Sequence, residues 1–429
     1  METYSRENAS AFPDLALIEQ RVDVLTVSRV DVAVAQELAR IRMPQRLRAG
    51  TKVAITAGSR GIANLATILA SVAHECRSLG AYPFVIPAMG SHGGANAEGQ
   101  RLVLQGLGVT EESVGCPIIS SMEVVQIGET PEGIPVFIDQ AAASADGIVV
   151  VNRIKEHTEY HGDMGSGLMK MLVIGLGKHK GALTAHSHAV QLGYRTVITS
   201  VARTVLQTAP ILFGLAVLEN AHSETARIVA VQPAELEEVE KALFAQAKQL
   251  ALKLPVADVD ILVIDEIGKE ISGTGMDTNV TGRCDILGEP RLESPRVKRI
   301  VVRDLTEETH GNAVGIGFAD FITRRAADKL DAQSTYVNAI TGMAPEEGRI
   351  PIIAETDREA LEWAFLTLGA VEPVQARMIR IKNTACLERV YISTAVLPEI
   401  RNHPNLRVLG DPQPIAFDNS GTLRGGFPE

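Results

Sequence analysis

"KVAITAGSRGIANLATILASVAHECRSLGAYPFVIPA", residues 52–88, sets the fold class. Lys52 to Ala57 is a short apolar run with the length of a buried strand. Ile62, Leu65, Leu69, Val72, Cys76 and Leu79 then recur at helical spacing, and Gly80 supplies the stop. A second strand begins at Pro83 and runs to Ile86. Strand, helix and strand in this order form a βαβ unit, which requires a parallel sheet. The polar turn Gly58-Ser59-Arg60-Gly61 falls at the carboxyl edge of that sheet, where ligands of α/β proteins collect.

The pattern repeats outward. "GIVVV" (147–151) and "ILFGLAVL" (211–218) read as further strands, with one long helix from about Ala182 to Gln207 between them. "ELEEVEKALFAQAKQLALKL" (235–254) is an amphipathic helix. "ILVIDEIG" (261–268) opens a second α/β region, continued by "RIVVRDL" (299–305), a helix from Ala319, a helix over Asp357 to Leu368, and "ARMIRIK" (376–382). A chain of 429 residues exceeds one ordinary core. The expected architecture is therefore two α/β domains with mainly parallel sheets and an active-site cleft between them. Residues 1–256 would form an N-terminal cofactor-binding and catalytic domain and 257–403 a C-terminal domain. The tail 404–429 would pack back on the first.

Composition narrows the function. A net charge of −11 argues against a nucleic-acid partner. No apolar run is long enough to span a bilayer. The first twenty residues lack the basic and apolar regions of a signal peptide, so a cytoplasmic location is expected. The four cysteines are scattered without CxxC spacing, which excludes a recognisable zinc ribbon and leaves four inert thiols as the expectation.

Five of the ten histidines lie in "HTEYHGDMGSGLMKMLVIGLGKHKGALTAHSH", residues 157–188, around Lys170. His157 and His161 have the i, i+4 spacing of two ligands on one helical face. On a helix, however, Glu159 would point about 200° away, so the order H-T-E-Y-H is no zincin motif. His186 and His188 would share a face only in a strand, and their segment reads as helix. Any single one of these imidazoles is ordinarily a hydrogen-bonded or surface residue; five in 32 positions need more. The glycine-rich run before Lys170 lacks Walker spacing and its hydroxyl residue. Lys170 is either a surface lysine after a turn or a partly desolvated amine suited to covalent work. His92, in "AMGSHGGANAEGQ" (88–100), sits on a glycine loop after a strand, a usual place for a catalytic group. Arg60 stands at the matching edge of the preceding strand, able to bind a carboxylate or phosphate.

Assembled in order, these residues resemble the lactate racemase family, enzymes that carry a nickel-pincer nucleotide. The resemblance rests on Arg60 in "AGSRG", His92 in "GSHGG", "KEH" ending at His157, "SGLMK" ending at Lys170, and His186 sixteen positions beyond Lys170. It implies a racemase or epimerase of a 2-hydroxy acid, with hydride passing to and from the nickel-pincer nucleotide. Lys170 would tether the cofactor, with Ser59, Arg60, Ser166 and Gly167 around it, and His186 would ligate the nickel. His92 and His157 would form the acid/base pair. Three additional residues before Ser166 keep His161 alongside His157 as the second base. Arg60 would also hold the substrate anion. Cofactor-maturation enzymes are implied as partners, and an oligomer is compatible. The polar loops "SGTGMDTNVTGR" (272–283) and "TEETHGNAVGIG" (306–317) add Arg283, His310 and Arg349 as candidate substrate contacts. The second half departs from the lactate enzymes, which suggests another 2-hydroxy acid. The alternative function is a nickel or nucleotide-cofactor carrier, or a non-catalytic binding protein of the same fold.

Overall fold

A computed structural model of the chain describes residues 12–22, 24–45, 47–59 and 61–428. Its contacts divide into two compact units, Asp23–Ala251 on one side and Met1–Val22 with Leu252–Glu429 on the other. The first strand, β1 (Leu15–Gln20), belongs to the discontinuous unit. The unit Asp23–Ala251 holds β2 (Lys52–Ala57), β3 (Tyr82–Pro87), β4 (Val124–Glu129), β5 (Pro135–Asp139), β6 (Gly147–Arg153), β7 (Ile211–Glu219) and β8 (Thr225–Val231). Five of these form a sheet in the order β3-β2-β6-β7-β8, parallel except for β8; β4 and β5 pair separately.

Period-two alternation explains why this sheet is covered on both faces. Val53, Ile55, Val149, Val151, Phe213 and Leu215 face a core shared with the helix Leu65–Ser78. Ala54, Ile148, Val150 and Ala216 face the opposite core, shared with residues 168–176 and the helices Tyr194–Thr208 and Leu236–Leu250. The single helix expected from Ala182 to Gln207 is two helices, Lys178–Leu192 and Tyr194–Thr208. Gly193 separates them at φ 75°, a conformation that costs a side-chain-bearing residue and ends a helix.

The other unit contains β9 (Asp258–Ile264), β10 (Arg296–Val302), β11 (Phe321–Thr323), β12 (Ile352–Ala354), β13 (Met378–Ile381), β14 (Arg389–Ser393) and β15 (Leu406–Val408). Its eight strands run β12-β11-β10-β9-β13-β14-β1-β15, parallel from β12 to β13 and antiparallel thereafter. The helix expected from Ala319 is instead strand β11 followed by helix Arg324–Lys329. Val301 and Val302 on β10 offer backbone partners to Phe321 and Ile322, and ladder pairing overrides the local pattern.

The expected boundaries also change. β1 leaves the N-terminal region to pair with β14, and the tail joins the same unit, not the first domain. β15 takes the open edge of β1, and the carbonyls of Leu423 and Gly425 accept from the buried Arg303 and Arg380. Open ladder groups and buried guanidinium groups need partners, and the tail supplies them. Cys76, Cys116 and Cys284 are buried, and burial pushes the Cys76 thiol up to about 12. Among the described residues no helix is long and apolar enough to cross a membrane.

Candidate functional site

The carboxyl ends of β2, β3 and β6 carry the residues singled out in the sequence. Ser59 follows β2 and His92 follows β3, and the Ser59 Oγ lies 2.5 Å from His92 Nδ1. This contact engages Nδ1 of the His92 ring and orients it. The loop is fastened from below: the buried Gln100 donates from Nε2 to the carbonyls of Gly90 (2.9 Å) and His92 (3.3 Å). Arg60, next to Ser59, lies outside the described residues.

Beyond β6 the chain does not form the helix on which a His157–His161 pair would share a face. Residues 155–167 make a loop closed by paired backbone bonds between Lys155 and Ser166. The Tyr160 hydroxyl donates to Gly165 O at 2.8 Å, and Asn152 on β6 donates to Gly167 O at 2.7 Å. Lys170 ends the helical turn Leu168–Lys170, which passes into a π turn, Met171–Gly175. Leu176 N–H bonds to Met171 O five residues back at 2.8 Å, the hydrogen-bond register of a π turn. Gly175 is required there, because a Cβ would lie 2.8 Å from Ala88 O and 2.2 Å from Met171 Sδ.

The half-buried Lys170 Nζ lies 2.5 Å from His157 Nε2, while His157 Nδ1 accepts the Glu159 N–H at 3.1 Å. From His157 an aromatic stack runs inward. His157 and Tyr160 are stacked at 4.2 Å, Tyr160 and Tyr194 at 5.3 Å, and His186 meets Tyr194 edge-on at 5.5 Å. His186 Nδ1 is 2.6 Å from the Tyr194 hydroxyl. Burial lowers the His186 pKa below its usual value, and Glu159 opposes the shift. The shift favours the neutral ring. Among the described residues no cluster of three or more His, Cys, Asp or Glu side chains is arranged to hold a metal.

Two further groups escaped the sequence analysis. Glu240, fully buried, accepts the Met169 N–H at 2.9 Å and so caps the turn bearing Lys170. Burial raises its pKa to about 7 against the pull of the Met169 and Leu168 amides. Its signal was a carboxylate at a core position of the Leu236–Leu250 helix, in register with Leu236, Leu243, Phe244 and Ala247. Lys178 is fully buried, 3.0 Å from the equally buried Asp139, and also donates to Pro87 O at the end of β3. Burial lowers its pKa despite Asp139. Tyr160 and Tyr194, two of only six tyrosines, completed the stack unnoticed.

The structure thus brings His157 to Lys170 and Ser59 to His92, and Tyr160 and Tyr194 link His157 to His186. His161 is half-buried in the same loop. The remaining candidates lie in the other unit and have local duties. Arg283 donates to Asp320 and to the carbonyls of Phe318, Val297 and Lys298. His310 is exposed in a turn with φ 49°, and the exposed Arg349 lies 3.7 Å from Glu346.

The family model of the lactate racemase N-terminal domain matches residues 24–196, a span that includes Ser59, His92, His157, Lys170, His186 and Tyr194. Among solved structures, the lactate racemase apoprotein from Thermoanaerobacterium thermosaccharolyticum is similar in fold. It is 11% identical with a TM-score of 0.53, over 86% of this chain and 94% of that one. A protein from Thermotoga maritima is 14% identical with a TM-score of 0.49, over 66% of this chain and 71% of that one. No curated protein matches the sequence. Residues 24–196 are thus similar to the N-terminal domain of lactate racemases, and the fold of the chain is similar to that of a lactate racemase.

Proposed function

We propose that the protein is a racemase or epimerase of a 2-hydroxy acid that works with a nickel-pincer nucleotide held at Lys170 and His186. The observation that carries this reading is an amine, Lys170, and an imidazole, His186, joined through His157, Tyr160 and Tyr194. Lys170 sits on a turn capped by Glu240, and the half-buried His186 keeps one nitrogen on Tyr194 and the other for a metal. A hydrogen-bonded second nitrogen is the usual support of a ligating histidine. Gly165 and Gly167 lie so close to their neighbours that a Cβ on either would clash, which shapes the turn around Lys170. These features fit the cofactor.

When bound, the cofactor supplies a reversible acceptor for the hydrogen that leaves the substrate carbon with its electron pair. The chain's own residues do the rest. His92, oriented by Ser59, takes and returns the substrate hydroxyl proton at Nε2. His157 is the second acid/base group, needed because the hydroxyl lies on different sides in the two enantiomers. His157 is favoured over His161 by its contact with Lys170. The buried Lys178–Asp139 pair, with Gln100, holds the His92 loop against the segment that bears Lys170.

The test is mass spectrometry of the protein co-produced with the cofactor-building enzymes, first native and then denatured. A nickel-containing adduct that maps to the Lys170 peptide supports the reading, and a screen of 2-hydroxy acids for inversion follows. With an authentic family member loading in parallel, no adduct under either condition sinks it.

A further inference from the structure

The hydrogen bonds of His157 determine the charge of Lys170. Nδ1 of His157 accepts the Glu159 N–H at 3.1 Å, so that nitrogen carries no hydrogen. A neutral imidazole with a bare Nδ1 has its hydrogen on Nε2. Nε2 in turn lies 2.5 Å from Lys170 Nζ. An ammonium group there would need Nε2 to accept as well, leaving both ring nitrogens bare, an imidazolate that does not exist near neutral pH. The consistent assignment is Nε2–H donating to a lone pair on Nζ. The ring is not free to turn away from this arrangement, because it stacks on Tyr160 at 4.2 Å and the Tyr160 hydroxyl is itself bound to Gly165 O.

We infer that His157 holds Lys170 as a neutral amine, a nucleophile for a carbonyl electrophile, and is itself released when that amine is acylated. In the acylation the Nζ electron pair forms the C–N bond. The bond from the carbonyl carbon to the leaving group breaks and its electrons depart with that group. One amine proton passes to solvent. The nitrogen's remaining pair is then delocalised into the amide and no longer accepts. His157 is released from Nζ and its ring becomes available to a substrate, exchanging a proton between its neutral and protonated forms. Covalent capture and arming of the second acid/base group are in this way one event. Buried neighbours on the same turn, Leu168, Met169, Met171 and Leu172, favour the uncharged amine in the same direction. Among the described residues, titratable groups around the pair include Glu159 and Tyr160 from its own loop, His186 and Tyr194 from the two following helices, and Glu240 beneath the turn.

The inference deepens the cofactor reading above and rests on it for the identity of the natural electrophile, but its test uses the chain alone. Trace acetic anhydride, from which acetate leaves, is applied to the cofactor-free protein from about pH 6 to about pH 11, bracketing the usual lysine range. Acetylation of Lys170 and of the exposed Lys382 is read on separate peptides. The Lys170 midpoint is expected at least about one pH unit below that of Lys382. His157→Phe keeps an aromatic ring against Tyr160 but removes the donor, and should move the Lys170 midpoint up towards that of Lys382. His157→Gln retains an N–H donor and should restore part of the shift. A Lys170 midpoint equal to that of Lys382, or one unmoved by His157→Phe, overturns the inference. Should the variants fail to fold, 15N NMR of the unsubstituted protein decides: a bare Nδ1 with a protonated Nε2 on His157 supports it, and any other pattern overturns it. A low midpoint without a nickel adduct removes the cofactor reading and leaves this one standing; an ordinary midpoint with an adduct does the reverse.

Discussion

The Tyr194 hydroxyl lies 2.6 Å from Nδ1 of His186, at the inner end of an aromatic stack that begins at His157. Tyr194 is the first residue after the break at Gly193, so the contact depends on that glycine's φ of 75°. Tyr194→Phe should preserve the stack and remove only the bond. In cofactor-loaded protein, nickel release to a chelator is expected to accelerate about 10–100-fold. An unchanged rate would separate Tyr194 from metal retention.

Lys178 and Asp139 are both fully buried, 3.0 Å apart. Lys178→Met strands a carboxylate in the core and should lower stability by about 3–5 kcal/mol in urea unfolding. Adding Asp139→Leu removes the stranded charge and should recover a large part of the loss. A double variant no more stable than Lys178→Met would show that the ammonium's bonds to Pro87 O and Gln100 dominate instead.

Glu240 has a pKa of about 7, raised by burial from an ordinary value of 4.5. Between these values the folded chain binds a proton that the unfolded chain does not. Stability is therefore full below about pH 4.5 and is lost as pH rises through about 7, by up to about 3 kcal/mol. Glu240→Gln stays neutral and still offers an oxygen to Met169 N–H. Urea midpoints at about pH 5 and about pH 8 should differ for the parent and differ less for the variant.

Gly167 touches the same carboxylate: a Cβ there would lie 2.3 Å from Glu240 Oε1. Its φ of −163° is open to any residue, so the constraint is space rather than backbone strain. Gly167→Ala should cost about 1–3 kcal/mol. Combined with Glu240→Ala the penalty should fall below the sum of the two single effects, measured as a double-mutant cycle.

His92→Ala should abolish inversion of the 2-hydroxy acid while leaving the adduct at Lys170 intact by mass spectrometry. A carrier of the cofactor would be indifferent to the change. Retained inversion would remove His92 from proton transfer.

Much of the fold could be read in advance, because strands buried on both faces leave continuous apolar runs. Lys52–Ala57, Gly147–Arg153 and Ile211–Glu219 stand where such runs predicted them. The single helix over residues 182–207 failed because one glycine, Gly193, interrupts a helical pattern that otherwise continues. The placement of the tail failed because strand pairing and the partners of Arg303 and Arg380 are long-range. Of the candidate site, the order Ser59, His92, His157, Lys170, His186 was visible in the residues themselves. The partners of Arg283 were not legible: its guanidinium bonds to Asp320 and three carbonyls, all distant in sequence.

The sequence by itself determined the βαβ beginning, the parallel sheet and the set of imidazoles around one lysine, because local periodicity and residue type carry that information. Only the tertiary structure decided that His157 faces Lys170, that Tyr160 and Tyr194 join it to His186, and that Glu240 caps the turn from 71 residues away. Burial and hydrogen-bond partners belong to the folded chain as a whole. They set the charge on an amine or a carboxyl, and no stretch of sequence contains them.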